Sequence, residues 1–311
     1  MKKRQNQGVK AYYTDHFVLP LPTGHRFPME KYRLLRDLVA CHPEIELIEP
    51  AAATDEDLLR AHDAAYIEAI TQGKLTDAQI REIGFPWSEA MVERSRRSAG
   101  ATIAACLAAI KEGVSVNLAG GTHHAYADKG SGFCVFNDAA VAARYVQAMS
   151  PTRVAVIDLD VHQGNGTAAI LGRDSSCFTL SLHGEKNFPF RKEDSHLDIG
   201  LPDGCGDKDY LKILQQALIE LERRFTPELI IYLAGADPHE GDRLGRLKLT
   251  MQGMEQRDRL VLGLAKELLC PIAIAMAGGY GRDIKTTVDV HHQTIQLALQ
   301  YHQQIQPKVS Q

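Results

Sequence analysis

Short apolar runs alternate along this chain with longer segments in which apolar residues recur every three to four positions. Residues 9–13, 114–118, 154–157, 177–182, 229–233 and 272–276 are brief and mostly apolar, the pattern of strands buried on both faces. Residues 30–40, 56–72, 88–112, 137–148, 207–224, 250–269 and 288–303 carry the helical period, and a frayed tail is expected after the last of them. Strand alternating with helix predicts an α/β fold, an open, mostly parallel sheet with helices on both faces. No repeat, low-complexity tract or linker interrupts the pattern, so 1–311 is expected to form a single domain.

The polar clusters fall at strand ends. His123-His124 follow the 114–118 strand and a Gly120-Gly121 turn. Asp158, Asp160 and His162 close the next strand, Asp237 follows 229–233, and Tyr280 follows 272–276 and Gly278-Gly279. In an open parallel sheet, ligands bind beyond the carboxyl ends of the strands. Along an extended chain residues i, i+2 and i+4 share a face, so Asp158, Asp160 and His162 are expected on one side of the strand end. Buried carboxylates and an imidazole are costly unless paired or bound to a cation, and this donor set suits zinc, iron or manganese.

Composition narrows the classes. Hydrophobic content of 44% and charged content of 24% are ordinary for a globular protein, and a net charge of -4 offers no footprint for nucleic acid. No stretch is long and apolar enough to span a membrane, and residues 1–7, with no apolar run behind their positive charges, are not expected to act as a secretory signal. Cys41, Cys106, Cys134, Cys177, Cys205 and Cys270 are scattered without a C-x-x-C pair, which favours buried thiols in a reducing cytoplasm. The short Lys2-Lys3-Arg4 tract is a weak targeting signal.

Taken in order, Gly120-Gly121-Thr122-His123-His124-Ala125, Gly132-Phe133-Cys134, Asp158-Leu159-Asp160-Val161-His162-Gln163-Gly164-Asn165-Gly166, Ser181-Leu182-His183, Ala234-Gly235-Ala236-Asp237 and Ala277-Gly278-Gly279-Tyr280 resemble the zinc-dependent histone deacetylase family of the arginase–deacetylase fold. The resemblance covers about 12–300 and is closest to the class IV branch and its bacterial relatives. It implies one zinc per chain on Asp160, His162 and Asp237, with room for water and a substrate carbonyl. It implies that His123 and His124 form the acid–base pair, oriented by Asp158 and Asn165 respectively. Asn165 departs from many relatives, which have Asp there. Tyr280 would donate to the oxyanion, with Gly278 and Gly279 letting backbone approach the substrate. Gly132 and Phe133 would wall one side of an acyl-lysine tunnel, Phe188 the other, with Leu244 at the rim and Cys134 beside the foot without a catalytic role. A potassium ion would lie behind the zinc on Asp158, Ser181, Leu182 and nearby carbonyls.

The reaction implied is hydrolysis of an acyl group, acetyl or longer, from the amine of lysine or a lysine-like substrate. Partners would be an acylated lysine in protein or peptide, or a small N-acyl amine such as an acetylpolyamine. The protein is expected to be a monomer or weak oligomer. An arginase-like dimanganese hydrolase would need more bridging carboxylates, and a non-catalytic acyl-lysine binder would have lost a ligand or the tyrosine. His183 and His239 read as loop residues, His291-His292 as solvated on the last helix, and Trp87 as a loop anchor near the site entrance or a packing residue.

Overall fold

Each of the six apolar runs forms a strand: β1 (Val9–Tyr12), β3 (Val114–Asn117), β4 (Val154–Asp158), β5 (Cys177–Gly184), β7 (Leu229–Leu233) and β8 (Ile272–Ala275). Two further strands, β2 (Ile45–Ile48) and β6 (Leu197–Leu201), complete the sheet at its edges. All pairings are parallel, in the order β2-β1-β3-β8-β7-β4-β5-β6. This computed structural model describes residues 8–306. The Lys2-Lys3-Arg4 tract and the end of the expected C-terminal tail lie outside the described residues.

The helices are α1 (Glu30–Val39), α2 (Asp55–Leu58), α3 (Ala64–Thr71), α4 (Asp77–Ile83), α5 (Glu89–Glu112), α6 (Asp138–Met149), α7 (Asn165–Leu171), α8 (Asp207–Arg224), α9 (Met251–Glu267) and α10 (Ile284–Ile305). The helix expected over 56–72 is broken between α2 and α3. There His62 is buried and bonded at both ring nitrogens, Nδ1 to Tyr126 O (2.9 Å) and Nε2 accepting from Asn137 N–H (2.9 Å). Those long-range bonds outweigh helical continuity.

Alternate residues of each central strand feed two cores. Ala155 and Ile157 of β4 join Ile230 and Tyr232 of β7 in a core shared with α8, α9 and α10. Val154 and Val156 join Leu229, Ile231 and Leu233 in the other, shared with α5 and α6. Burial on both faces explains why these strands read as continuous apolar runs rather than as alternation. Among the described residues no helix is long and apolar enough to cross a membrane, and all six cysteines are free thiols.

Candidate active site

The inner strands β3, β8, β7 and β4 are neighbours, and being parallel they end on the same side of the sheet. Their loops bring Asp160, His162 and Asp237 together, with one donor atom of each within 4.8 Å of the others and all three buried. The loops lock one another: Gly278 N–H donates to Asp160 Oδ2 (2.7 Å), Val161 N–H to Asp237 Oδ1 (2.9 Å) and His162 N–H to Asp160 Oδ1 (2.9 Å). His162 Nδ1 then lies 2.9 Å from Asp160 Oδ1 and 3.3 Å from Asp237 Oδ2, which is buried and makes no hydrogen bond. Gly278 keeps this space open, since an added Cβ would stand 2.1 Å from Asp237 Oδ2 and 2.5 Å from Asp160 Oδ2.

Two buried carboxylates this close need a positive charge beside them. In the protein alone a proton on His162 supplies it. Burial would lower that pKa, but Asp160 and Asp237 push it up to about 10. Burial and the charge of Asp160 push Asp237 up to about 7. Burial also acts to raise Asp160, yet His123 and His162 hold it well below the usual carboxylate range. A divalent cation would take the place of the His162 proton, and a three-donor oxygen and nitrogen set fits a catalytic metal. Asp158 is not part of this set: β4 ends there, and its carboxylate turns to His123.

His123 and His124 follow a turn at which Gly120 and Gly121 have φ of +85° and +65°, and a Cβ on Gly121 would lie 2.3 Å from Ala277 Cβ. Asp138, buried in the first turn of α6, fastens that turn. It accepts from Gly121 N–H (3.0 Å), Thr122 N–H (2.7 Å) and the Thr102 hydroxyl (2.6 Å). The two imidazoles are 4.1 Å apart at their centroids. His123 Nδ1 bonds Asp158 Oδ2 at 2.6 Å, and His124 Nδ1 bonds Asn165 Oδ1 at 2.7 Å.

The Asn165 amide is itself oriented. Its Nδ2 donates to the Tyr126 hydroxyl (2.9 Å), which donates to Glu193 (3.1 Å). Its oxygen therefore faces His124, whose Nδ1 carries the proton and whose Nε2 keeps the lone pair. Burial and the neighbouring charges of His123 and His162 hold His124 well below its ordinary pKa. His123 is equally buried, yet Asp158 and Asp160 overcome that and push it up to about 9.

A pocket of about 590 Å³ leads to His124, His162 and Tyr280, with Gly132 and Phe133, Phe188, and Leu244 in its walls. Gly132 is held to glycine by closeness: a Cβ would lie 2.7 Å from His124 Cδ2 and 3.0 Å from Phe188 Cε1. Phe133 has φ of +67°, rare for an aromatic residue, with its N–H donating to Ile83 O at 2.7 Å. Phe188 meets His124 edge-on at 4.9 Å. Farther in, a cavity of about 40 Å³ is bounded by Lys31, His123, Cys134, Asp160 and Gly278.

Tyr280 borders both spaces, and its hydroxyl makes no hydrogen bond among the described residues. Burial, then the charges of Asp160 and Asp237, raise its pKa well above the ordinary value, so it remains a donor. Asp242 Oδ2 accepts from Tyr280 N–H (2.6 Å), while Oδ1 accepts from the N–H groups of Leu244 (2.7 Å) and Gly245 (2.8 Å).

Several supporting residues escaped the sequence reading. Buried Lys31 donates to Ala277 O (3.3 Å) and Gly279 O (3.4 Å), with its ammonium 5.5 Å from the Tyr280 ring. Fully buried Arg257 pairs with Asp258 (2.8 Å) and donates to Gly235 O (2.6 Å), bracing the loop before Asp237. Asp138 had a signal, since Asn137 caps α6 through Ala140 N–H (2.9 Å) and an acidic residue suits the first turn. The Tyr126–Glu193 pair spans 67 positions and leaves no trace in local sequence.

The expectations for Gly279, His291, His292 and His183 need correction, whereas His239, Trp87, Ser181 and Leu182 lie as expected. Gly279 lines neither cavity; it turns toward α10, where a Cβ would meet Thr287 Cγ2 at 2.5 Å. His291 is not solvated. It is 1% exposed, with both ring nitrogens unbonded, because it sits on the apolar stripe of α10 behind that turn. His292 is half-buried and meets His42, Nε2 to Nε2, at 2.9 Å. His183 belongs to β5 rather than a loop and bonds the Ser181 hydroxyl (3.0 Å). His239 accepts from Gly241 N–H (3.0 Å) and stays outside the metal set. Trp87 packs with its indole donating to Ile70 O (2.7 Å). Ser181 faces Asp158 in the β4–β5 register, with Leu182 next to it.

Comparison with known proteins agrees with this geometry. An uncharacterized protein of Picosynechococcus sp. is 42% identical over 91% of this chain and 96% of its own length. A histone deacetylase-like amidohydrolase of Pseudomonas aeruginosa is 35% identical over 74% of this chain; the match spans 65% of that relative. The crystal structure of a histone deacetylase homologue from Aquifex aeolicus superposes with a TM-score of 0.80 at 25% identity, over 96% of this chain and 85% of the other. A histone deacetylase domain is matched over residues 25–295, and with these relatives it places the chain in the histone deacetylase family, on the arginase–deacetylase fold.

Proposed function

We propose that this amidohydrolase removes a short acyl group from the side-chain amine of an acylated lysine, using one zinc ion held by Asp160, His162 and Asp237. The observation that carries the reading is the convergence on one pocket end of a buried two-carboxylate, one-imidazole cradle, a neutral histidine with a free Nε2 and an unbonded tyrosine hydroxyl. When bound, the metal polarises the scissile carbonyl and acidifies water.

The side chains do the rest. His124 Nε2 removes the proton of the attacking water and later returns it to the departing amine. His123, oriented by its Nδ1 bond to Asp158, stands beside His124 at the reacting centre, where that carboxylate favours its charged form. Tyr280 O–H donates to the carbonyl oxygen as it gains negative charge. Phe133 and Phe188 flank the aliphatic stem. Asp158 and Ser181, paired across β4 and β5, and the neighbouring Leu182 would hold a potassium ion behind the site. The whole of 1–311 serves this single catalytic domain.

The small inner cavity favours acetyl over long acyl chains. At about 40 Å³ it has room for about three waters, far less than a fatty chain requires. The test is product release by zinc-loaded protein from matched acetyl-lysine and myristoyl-lysine peptides. Faster acetate release is expected. Faster myristate release would refute the short-acyl assignment and mean that the cavity opens into a deep channel.

A further inference from the structure

The pocket mouth carries a charge opposite to that of the chain. The net charge is -4, yet Arg26, Arg81, Lys186 and Arg246 line the pocket against one carboxylate, Glu82. The four cations come from separate segments: the loop before α1, α4, the β5–β6 connection and the loop before α9. All four are exposed. Glu82 is already paired with Lys129 (2.8 Å), and Arg246 with Asp203 (3.1 Å). Arg26, Arg81 and Lys186 have no carboxylate partner among the described residues; Arg26 only lies over the Phe133 ring at 6.0 Å. Beside them Phe190 is 86% exposed, edge-on to Phe188 at 6.3 Å. Unpaired cations around a lone exposed aromatic, at the entrance of a buried reaction centre, form a surface suited to acidic and apolar groups.

Building on the acyl-lysine reading above, we propose that the substrate is an acylated lysine within an acidic peptide segment. Carboxylates flanking the lysine meet Arg26, Arg81 and Lys186, and Phe190 covers a neighbouring apolar side chain. The same field repels cationic substrates, so acetylpolyamines and strongly basic tails are disfavoured.

The experiment compares kcat/KM for acetyl-lysine peptides of one core sequence flanked by Glu, Ser or Lys, with N-acetylputrescine as a cationic small probe, at low and high salt. Acidic flanks should exceed basic flanks by about 10-fold or more at low salt. The gap should shrink as salt shortens the Debye length toward about 3 Å near 1 M. The double variant Arg81→Glu/Lys186→Glu should reverse the order, with thermal melting to check folding. The salt series on the unaltered protein tests the same point without any substitution. Peptide cleavage that ignores the flanks, or favours basic ones, overturns the rim assignment while leaving the hydrolase reading intact. Turnover of N-acetylputrescine but of no peptide overturns the peptide substrate. Cleavage of no probe by zinc-loaded protein overturns the hydrolase reading, and the rim assignment falls with it.

Discussion

Replacing Asn165 with aspartate probes how two adjacent histidines are given different proton affinities. Both are buried, and both give Nδ1 to a side-chain oxygen at nearly the same distance, 2.6 Å for His123 and 2.7 Å for His124. Their partners differ by one charge. His123, on the Asp158 carboxylate, is pushed up to about 9 against the effect of burial, whereas His124, on an amide, falls well below its ordinary value. A carboxylate at 2.7 Å from His124 Nδ1 should raise its pKa by about 1–3 units. That corresponds to about 1.4–4 kcal/mol in favour of the imidazolium.

The sign follows from the role. A base must be neutral to accept a proton, so Asn165→Asp moves the acid limb of kcat/KM to higher pH. A bound metal lowers the pKa of both histidines but does not cancel the difference between an amide and a carboxylate partner. The Tyr126 hydroxyl, which accepts from Asn165 and donates to Glu193, would then face two carboxylates with one proton to give. Adding Glu193→Gln should relieve that conflict without restoring the original acid limb. The assay is kcat/KM of zinc-loaded protein over about pH 5–10, with circular dichroism to confirm the fold. An acid limb that stays in place, or moves to lower pH, refutes the assignment of His124 as the base.

Three further substitutions test the remaining parts. Tyr280→Phe should cut turnover by about 10²–10³ with zinc retained; near-normal turnover would exclude Tyr280 as the oxyanion donor. Gly278→Ala places a methyl group 2.1 Å from Asp237 Oδ2 and should weaken zinc affinity at least about 10-fold, measured by competition with a chromophoric chelator; unchanged affinity would show that the cradle lies elsewhere. Arg257→Met strands Asp258 in the core beside Tyr232 and Thr294 and should cost about 3–5 kcal/mol in urea unfolding; a loss below about 1 kcal/mol, the level of a surface pair, would refute a buried-pair role.

The central strands were legible because they are buried on both faces, so their apolar runs admit little else. Residues 229–233 show this most clearly. The edge strands were not. Ile45–Ile48 is only half-buried, and Leu197–Leu201 alternates with exposed Asp198 and Gly200, a period-two signal too short to stand out. α7 gave no helical signal, being short with Gly164 at its N-cap and Gly166 in its first turn. Both are required for closeness: a Cβ on Gly164 would meet Asp158 Oδ2 at 2.3 Å, and one on Gly166 would meet Ala125 O at 2.1 Å.

In the site, the reacting side chains could be named from motif order, but not the groups that aim them. Those pairings join distant parts of the chain, as Asp242 does with Tyr280 and Arg257 with Gly235. Two of them did leave a mark. Lys31 shares the buried stripe of α1 with Leu35 and Val39, and Arg257 shares that of α9 with Met254 and Val261. A cation where the helical period demands an apolar residue is a sign of an internal partner.

The strand order has a consequence for how the molecule opens. The four strands that deliver the reacting groups sit side by side in the middle of the sheet, with β1 and β2 outside them on one flank and β5 and β6 on the other. Fraying starts where a strand has a neighbour on one side only, so amide hydrogen exchange should be quickest in β2 and β6 and slowest in β3, β8, β7 and β4. The reaction centre thus occupies the most persistent part of the protein. Partial opening of the rim or the sheet edges leaves it assembled, and on heating its loss should coincide with global unfolding rather than precede it.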